Sequence, residues 1–259
     1  MVIKKGKFIS TYYADKRRCF LSDNEKTYFC KNGTGSKDLS VNPKIWLLNE
    51  IIYSIFADKI DVPVPELKFF EHNETLYIGS EYLPERIAYN IKPDPNVFKS
   101  LPNKIVFTKI FLLDIFLFNS DRFGWNILVD KTSKVWAIDH DKCFVGDGKN
   151  DLHRFTNLPE KRLQYIMDYS PYKNLNNTVL DSANLGRLSD FSKQIAYLIN
   201  QVTTKDFEEK IPTEIFSLFS VFDLTVLKAW AKLIVDFFDN KENINLLKEK
   251  MKEKGTLDA

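Results

Sequence analysis

Cysteine is scarce in this chain: Cys19, Cys30 and Cys143 are the three thiols in 259 residues, with no C-x-x-C pair. That argues against a disulfide scaffold and a cysteine zinc site, and it suits a reducing cytoplasm. Histidine is equally scarce, and no H-E-x-x-H spacing occurs. A metal-dependent hydrolase built on His140, Asp139, Asp141 and His153 is therefore a poor fit, and His140 reads as a structural hydrogen-bonding residue. There is no surplus of either charge. Thirty-seven Lys and Arg against 35 Asp and Glu leave +2, which gives no signal for a nucleic-acid or membrane partner. Long apolar runs are missing too. The most hydrophobic stretch, Ile105 to Phe118, is interrupted by Lys109 and Asp114 and is too short to span a bilayer. It predicts a helix buried on nearly every side. The basic start, Met1 to Lys7, has no apolar stretch after it, so no secretory leader is expected. No internal repeat and no helix-turn-helix signal is visible.

What remains is ordinary globular composition, 44% hydrophobic and 28% charged, with 21 Phe and 11 Tyr for a core. The length fits one large domain or two lobes sharing a cleft. Phe8–Tyr13, Cys19–Leu21 and Thr27–Lys31 read as a three-stranded meander, with charged Ala14 to Arg18 as its first turn. A loop of small and polar residues, Asn32 to Asp38, contains Gly33 and Gly35. Ile45 to Phe56 predicts an amphipathic helix starting near Asn42-Pro43, and Val62-Pro63-Val64-Pro65 breaks the pattern. Glu66–Phe70 and Thr75–Tyr82 predict two further strands. From Leu101 onward helical periodicity dominates, with helices over Ser189–Val202 and Leu224–Phe238, an irregular stretch at 155–180, and a fraying tail after Lys250.

One stretch breaks the helical second half. Asp121-Arg122-Phe123-Gly124-Trp125-Asn126 is followed, thirteen residues after the Asn, by Asp139 in Trp136-Ala137-Ile138-Asp139-His140-Asp141. Between them, Asn126–Val129 and Val135–Ile138 are β-type runs joined by the polar turn Asp130 to Lys134. Pairing them brings Asn126 and Asp139 to the same end of a two-stranded ribbon. Taken singly, each residue has an ordinary explanation: a surface Asp-Arg ion pair, a strand cap, a turn former. Taken together, they are the set that phosphoryl transfer from ATP requires. One Asp orients or deprotonates an acceptor hydroxyl, while an Asn and a second Asp hold metal ions. Lys31 at a strand end and Glu50 inside the next helix then fall in the order of a phosphate-bridging lysine and its orienting glutamate.

These residues carry a family resemblance. Tyr28-Phe29-Cys30-Lys31, Leu48-Asn49-Glu50, Asp61 to Pro65, Asn119-Ser120-Asp121-Arg122 through Val129, and Val135 to His140 resemble the HipA-like kinases. That family belongs to the protein-kinase-like superfamily and is related to phosphatidylinositol kinases; the matched stretch runs from about residue 28 to about 144. The resemblance implies an α+β, bilobed protein-kinase-like fold, with a β-rich nucleotide-binding N-lobe over 1–85 and a mainly helical C-lobe over 86–259 carrying the catalytic and metal-binding hairpin. It implies ATP and Mg²⁺ as cofactors, Lys31 on the phosphates, Glu50 on the lysine, Asp121 as catalytic carboxylate, and Asn126 and Asp139 as metal ligands. Glu81-Tyr82-Leu83 ends the last small-lobe strand, where Glu81 and Leu83 are placed to meet an adenine ring through backbone groups. Two departures stand out. Phe123 replaces the usual His of an Asp-Arg-His pattern, and no Gly-rich loop precedes Lys31. If backbone N–H groups cradle the phosphates, Gly33–Gly35 is the candidate loop, although an ordinary surface turn is the reading that paired glycines favour.

The acceptor the resemblance implies is a Ser or Thr hydroxyl on a protein substrate, with a cognate regulatory protein as a further candidate partner. A lipid or small-molecule kinase is the enzyme alternative, weakened by the absence of a basic surplus or amphipathic anchor. A non-catalytic pseudokinase that binds nucleotide or a partner is the alternative of another class.

Overall fold

The computed structural model describes residues 3–12, 15–32, 44–83, 86–88, 101–119, 122, 126–141, 143, 185–216 and 224–253. Six strands form one sheet: β1 (Ile3–Lys5), β2 (Lys7–Tyr12), β3 (Asp15–Ser22), β4 (Thr27–Lys31), β5 (Leu67–His72) and β6 (Thr75–Glu81). Their spatial order is β1-β5-β6-β4-β3-β2, with β1 parallel to β5 and every other pair antiparallel. Helix α1 (Lys44–Lys59) lies between β4 and β5 in sequence.

The period-2 alternation of the strands divides this sheet into two faces. Cys19, Leu21, Tyr28, Cys30, Phe70 and Tyr77 close a small cluster on one face. Phe69 and Ile78 join α1 in the main core on the other. Lys31 is in register with Ile78, so it projects on the α1 side. Gly79 on β6 leaves room for side chains from β4 and β5 to pack over it. A Cβ there would sit 2.7 Å from the Phe70 ring, 2.8 Å from the Cys30 sulfur and 2.9 Å from Tyr28 Cβ.

A three-stranded sheet follows, β7 (Arg86–Ala88), β8 (Ile127–Asp130) and β9 (Val135–Ala137), in that spatial order. The helices of this part are α2 (Ile105–Phe116), α3 (Leu188–Gln201), α4 (Thr204–Glu208), α5 (Thr213–Phe216), α6 (Leu224–Asp239) and α7 (Lys241–Glu253). As its composition predicts, α2 is enclosed: every residue from Val106 to Phe116 is buried except half-buried Lys109. The Lys109 ammonium reaches the Ile60 carbonyl at 2.7 Å, satisfying its charge at the edge of the core. Leu227, Trp230 and Ile234 of α6 and Ile195 and Ile199 of α3 recur at helical spacing and bury the stripe expected of them. Trp230 also donates its indole N–H to the Ile115 carbonyl of α2 at 3.2 Å.

Several sequence expectations need correction. Asp15 to Arg18 are strand and not turn, because β3 begins at Asp15 and Arg18 pairs with Lys31. Charged side chains sit comfortably near the edge of a sheet, so polarity there does not signal a turn. The basic N-terminus supplies β1, three residues held by β5, and α7 stays helical through Glu253 rather than fraying after Lys250. The Asn42-Pro43 start, the Gly33–Gly35 loop and the 155–180 stretch lie outside the described residues.

Candidate active site

The hairpin β8–β9 owes its shape to one residue at each end. At the turn, the Asp130 carboxylate accepts from the Thr132 and Lys134 N–H groups at 2.8 and 3.1 Å and from the Trp136 indole at 2.8 Å. These donors draw its pKa to about 2 against the opposing effect of burial. At the open end, Ile138 N–H donates to the Asn126 carbonyl at 3.0 Å, which places the two arms side by side where the sequence predicts. Ala137 N–H donates to the Pro63 carbonyl at 2.9 Å, tying the hairpin to the segment between α1 and β5. Asp139 then leaves the ribbon with φ 61°, a left-handed conformation that costs a non-glycine residue about 1–2 kcal/mol.

That turn aims Asp139 at Lys31. The Lys31 ammonium bonds Asp139 Oδ1, lies 3.1 Å from Glu50 Oε1 on α1, and lies 3.5 Å from Asp141 Oδ2. One ligand oxygen from each of Glu50, Asp139 and Asp141 falls within 4.8 Å of the others. Three carboxylates face one ammonium in a mostly buried place. An all-oxygen, anionic donor set of this kind suits a hard divalent cation such as Mg²⁺. Asn49 secures the far side, donating to the Asp141 and Cys143 carbonyls at 2.8 and 2.5 Å.

The electrostatics follow from this packing. Burial works against the Lys31 charge, but Asp139, Glu50 and Asp141 outweigh it and hold its pKa well above the usual value. Burial would raise Asp139, yet Lys31 pulls it below the usual carboxylate value. Glu50 goes the other way: burial, with Asp139 and Asp141 beside it, pushes it up to about 7 despite Lys31. Burial also drives the Cys143 thiol well above its usual value, so Cys143 is core filler and not a nucleophile.

The Glu50 shift has a measurable consequence. The folded protein holds this proton more tightly than the unfolded chain. The resulting stability is therefore full below the usual carboxyl value of 4.5 and is lost as pH rises through about 7. Glu50→Gln removes that loss. Its melting temperature relative to wild type should climb between about pH 5 and about pH 8. A difference that stays constant across that window would show that Glu50 does not titrate there.

Of the residues singled out in the sequence, Lys31, Glu50 and Asp139 meet in one cluster, drawn from β4, α1 and the exit of β9. Asn126 is buried at the start of β8. Glu81 and Leu83 sit at the end of β6; Glu81 is level with Tyr28, so it lies about 10 Å along the strand from Lys31. Its carboxylate is engaged by Lys26 at 3.1 Å. Asp121 and Phe123 lie outside the described residues. Arg122 is not a surface residue: its side chain and that of Asp114 are both 0% exposed, 2.9 Å apart. His140 is likewise buried, its ring stacked on Tyr53 at 3.6 Å between centroids, with Nδ1 2.7 Å from Arg122. That arrangement leaves it structural, as the sequence suggests, and not a ligand of a hydrolytic metal.

Asn49, Asp114 and Tyr53 are additions that sequence reasoning did not single out as site residues, and Asp141, named there only for a hydrolytic metal, joins the Lys31 cluster instead. One signal was available. A lone Asp inside an otherwise apolar buried helix demands a partner, and Arg122 is eight residues on.

With this geometry in place, the two-lobed arrangement of a β-rich sheet and a helical body around one ionic cluster is a protein-kinase-like fold. No family model matches the chain, and no characterised protein sequence matches it. Among solved structures, it is similar to the crystal structure of a Helicobacter pylori proinflammatory kinase, CtkA, with a TM-score of 0.53 and 14% identity. The match covers 95% of this chain and 99% of that one. Among the described residues, no helix is long and apolar enough to cross a membrane.

Proposed function

We propose that this chain is an ATP- and Mg²⁺-dependent kinase that phosphorylates a hydroxyl, with Ser or Thr on a protein as the acceptor class. The supporting observation is the convergence of Lys31, Glu50 and Asp139 from three separate elements into one buried ionic cluster. Phosphoryl transfer is mostly positioning and charge stabilisation, and it needs a cation on the phosphates beside anions that hold metal. In this reading, Lys31 exchanges its carboxylate partners for phosphate oxygens, and Glu50 keeps the ammonium oriented. Asp139 and Asn126 would hold Mg²⁺, whose charge neutralises that developing on the phosphoryl group. Asp121 orients the acceptor hydroxyl and takes its proton. The backbone around Glu81 and Leu83, where the N-lobe of residues 1–85 passes into the C-lobe, receives the adenine. Near-zero net charge favours a protein acceptor over an anionic lipid surface.

Lys31→Met tests the lobe register on which this reading depends. Losing a charge-assisted contact to phosphate removes about 1.5–3 kcal/mol, so ATP affinity measured by calorimetry should fall by about 10- to 100-fold. Unchanged affinity together with unchanged turnover would make Lys31 an ordinary strand residue.

A further inference from the structure

We propose that Arg122 is a positioning residue whose guanidinium fixes the spacing and orientation of Asn126 and Asp139, an inference that rests on the metal-binding reading above. Every N–H of this side chain meets an acceptor. Nε donates to Asp114 Oδ2 at 2.9 Å, and Nη2 donates to Asp114 Oδ1 at 3.1 Å and to His140 Nδ1 at 2.7 Å. Nη1 donates to the carbonyls of Asn126 at 2.8 Å and Ile138 at 2.6 Å. A guanidinium has five such N–H groups in one rigid plane, so the complement is full and no other side chain can reproduce it.

The identity of the acceptors carries the argument. Two of them are the backbone carbonyls of Asn126 and of Ile138, the residue before Asp139, and a third is the ring of His140, the residue after it. Asp139 is thus held on both sides by one planar group while it occupies its left-handed conformation. The clamp is itself anchored. Asp114 lies on enclosed helix α2 and takes a further bond from Asn119 Nδ2 at 2.9 Å, and the His140 ring is locked against Tyr53. An arginine N–H can only donate, so Nδ1 is the accepting nitrogen of the His140 ring. A buried ion pair stabilises a fold little better than apolar packing of the same volume. What this pair provides that apolar packing cannot is direction, and the N–H groups not engaged by Asp114 donate to the flanks of the two proposed metal ligands.

The test separates direction from stability. In Asp114→Leu/Arg122→Met, apolar groups replace the ion pair and the guanidinium is lost. Each protein is titrated with Mn²⁺ in the presence of ATP, reading free Mn²⁺ by electron paramagnetic resonance, beside its melting temperature and its ATP affinity without metal. The folded double variant should need about 10- to 100-fold more Mn²⁺ for half-saturation, the usual effect of losing a group that orients a ligand, with metal-free ATP affinity unchanged. A folded variant with wild-type Mn²⁺ affinity overturns the proposal. Should the double variant fail to fold, His140→Phe decides, because it keeps the ion pair and the stacking but removes the acceptor beside Asp139. A several-fold rise in half-saturating Mn²⁺ supports the clamp, and no rise overturns it. Absence of ATP-dependent Mn²⁺ uptake by the wild type would instead overturn the kinase reading on which the proposal rests.

Discussion

Asp139→Asn is expected to abolish Mg²⁺-dependent ATP turnover while leaving the fold standing. The substitution keeps the shape of the side chain and removes one negative charge from the cluster that would hold the metal. Metal stabilisation of the transferring phosphoryl group is worth several kcal/mol, so turnover should fall by about 10²-fold or more. The fold should survive because Lys31 keeps Glu50 and Asp141 as partners, at 3.1 and 3.5 Å. Circular dichroism and a melting curve check the second half of that expectation, and steady-state ATP turnover checks the first. Full activity at ordinary Mg²⁺ would remove Asp139 from the mechanism. Asn126→Ala should act in the same direction and less severely, since a neutral ligand contributes less than a charged one.

Asp121→Ala separates catalysis from binding. A group that orients the acceptor hydroxyl and takes its proton acts in the transition state more than on ATP affinity. Nucleotide binding by the variant should therefore stay near wild type while phosphate transfer drops by about 10²–10⁴-fold, the usual contribution of a positioned general base. Equal transfer rates for the two proteins, in an assay that depends on Asp139, would contradict the assignment. A pseudokinase would bind nucleotide and show no transfer to lose.

The fold was legible wherever a local pattern decides it. β4 to β6, α1, α2 and the β8–β9 hairpin all follow from alternation, helical spacing or a polar turn between β-type runs. Lys31, Glu50 and Asp139 were picked out by their order along the chain, and their side chains converge in one cluster. β1 was not legible, since three residues of a basic terminus become a strand only through pairing with β5, some 66 positions away by the Ile3–Phe69 register. The network around Arg122 was hidden for a similar reason. An Asp-Arg pair beside a turn reads as surface polarity until the burial of α2 places Asp114 next to it. Asp141 was named only as part of an unlikely hydrolase, and its place beside Lys31 depends on the left-handed turn at Asp139, which no propensity announces.

The central claim is that the Lys31–Glu50–Asp139 cluster belongs to a catalyst of phosphoryl transfer from ATP. The most direct measurement follows the γ-phosphate of labelled ATP, with wild-type protein, a panel of Ser- and Thr-containing proteins and the chain itself as acceptors, in Mg²⁺ and in excess chelator. Label is expected on a hydroxyl side chain in Mg²⁺ and none in chelator. Mg²⁺-dependent ATP binding with no label on any acceptor would contradict it and make the chain a nucleotide-binding module.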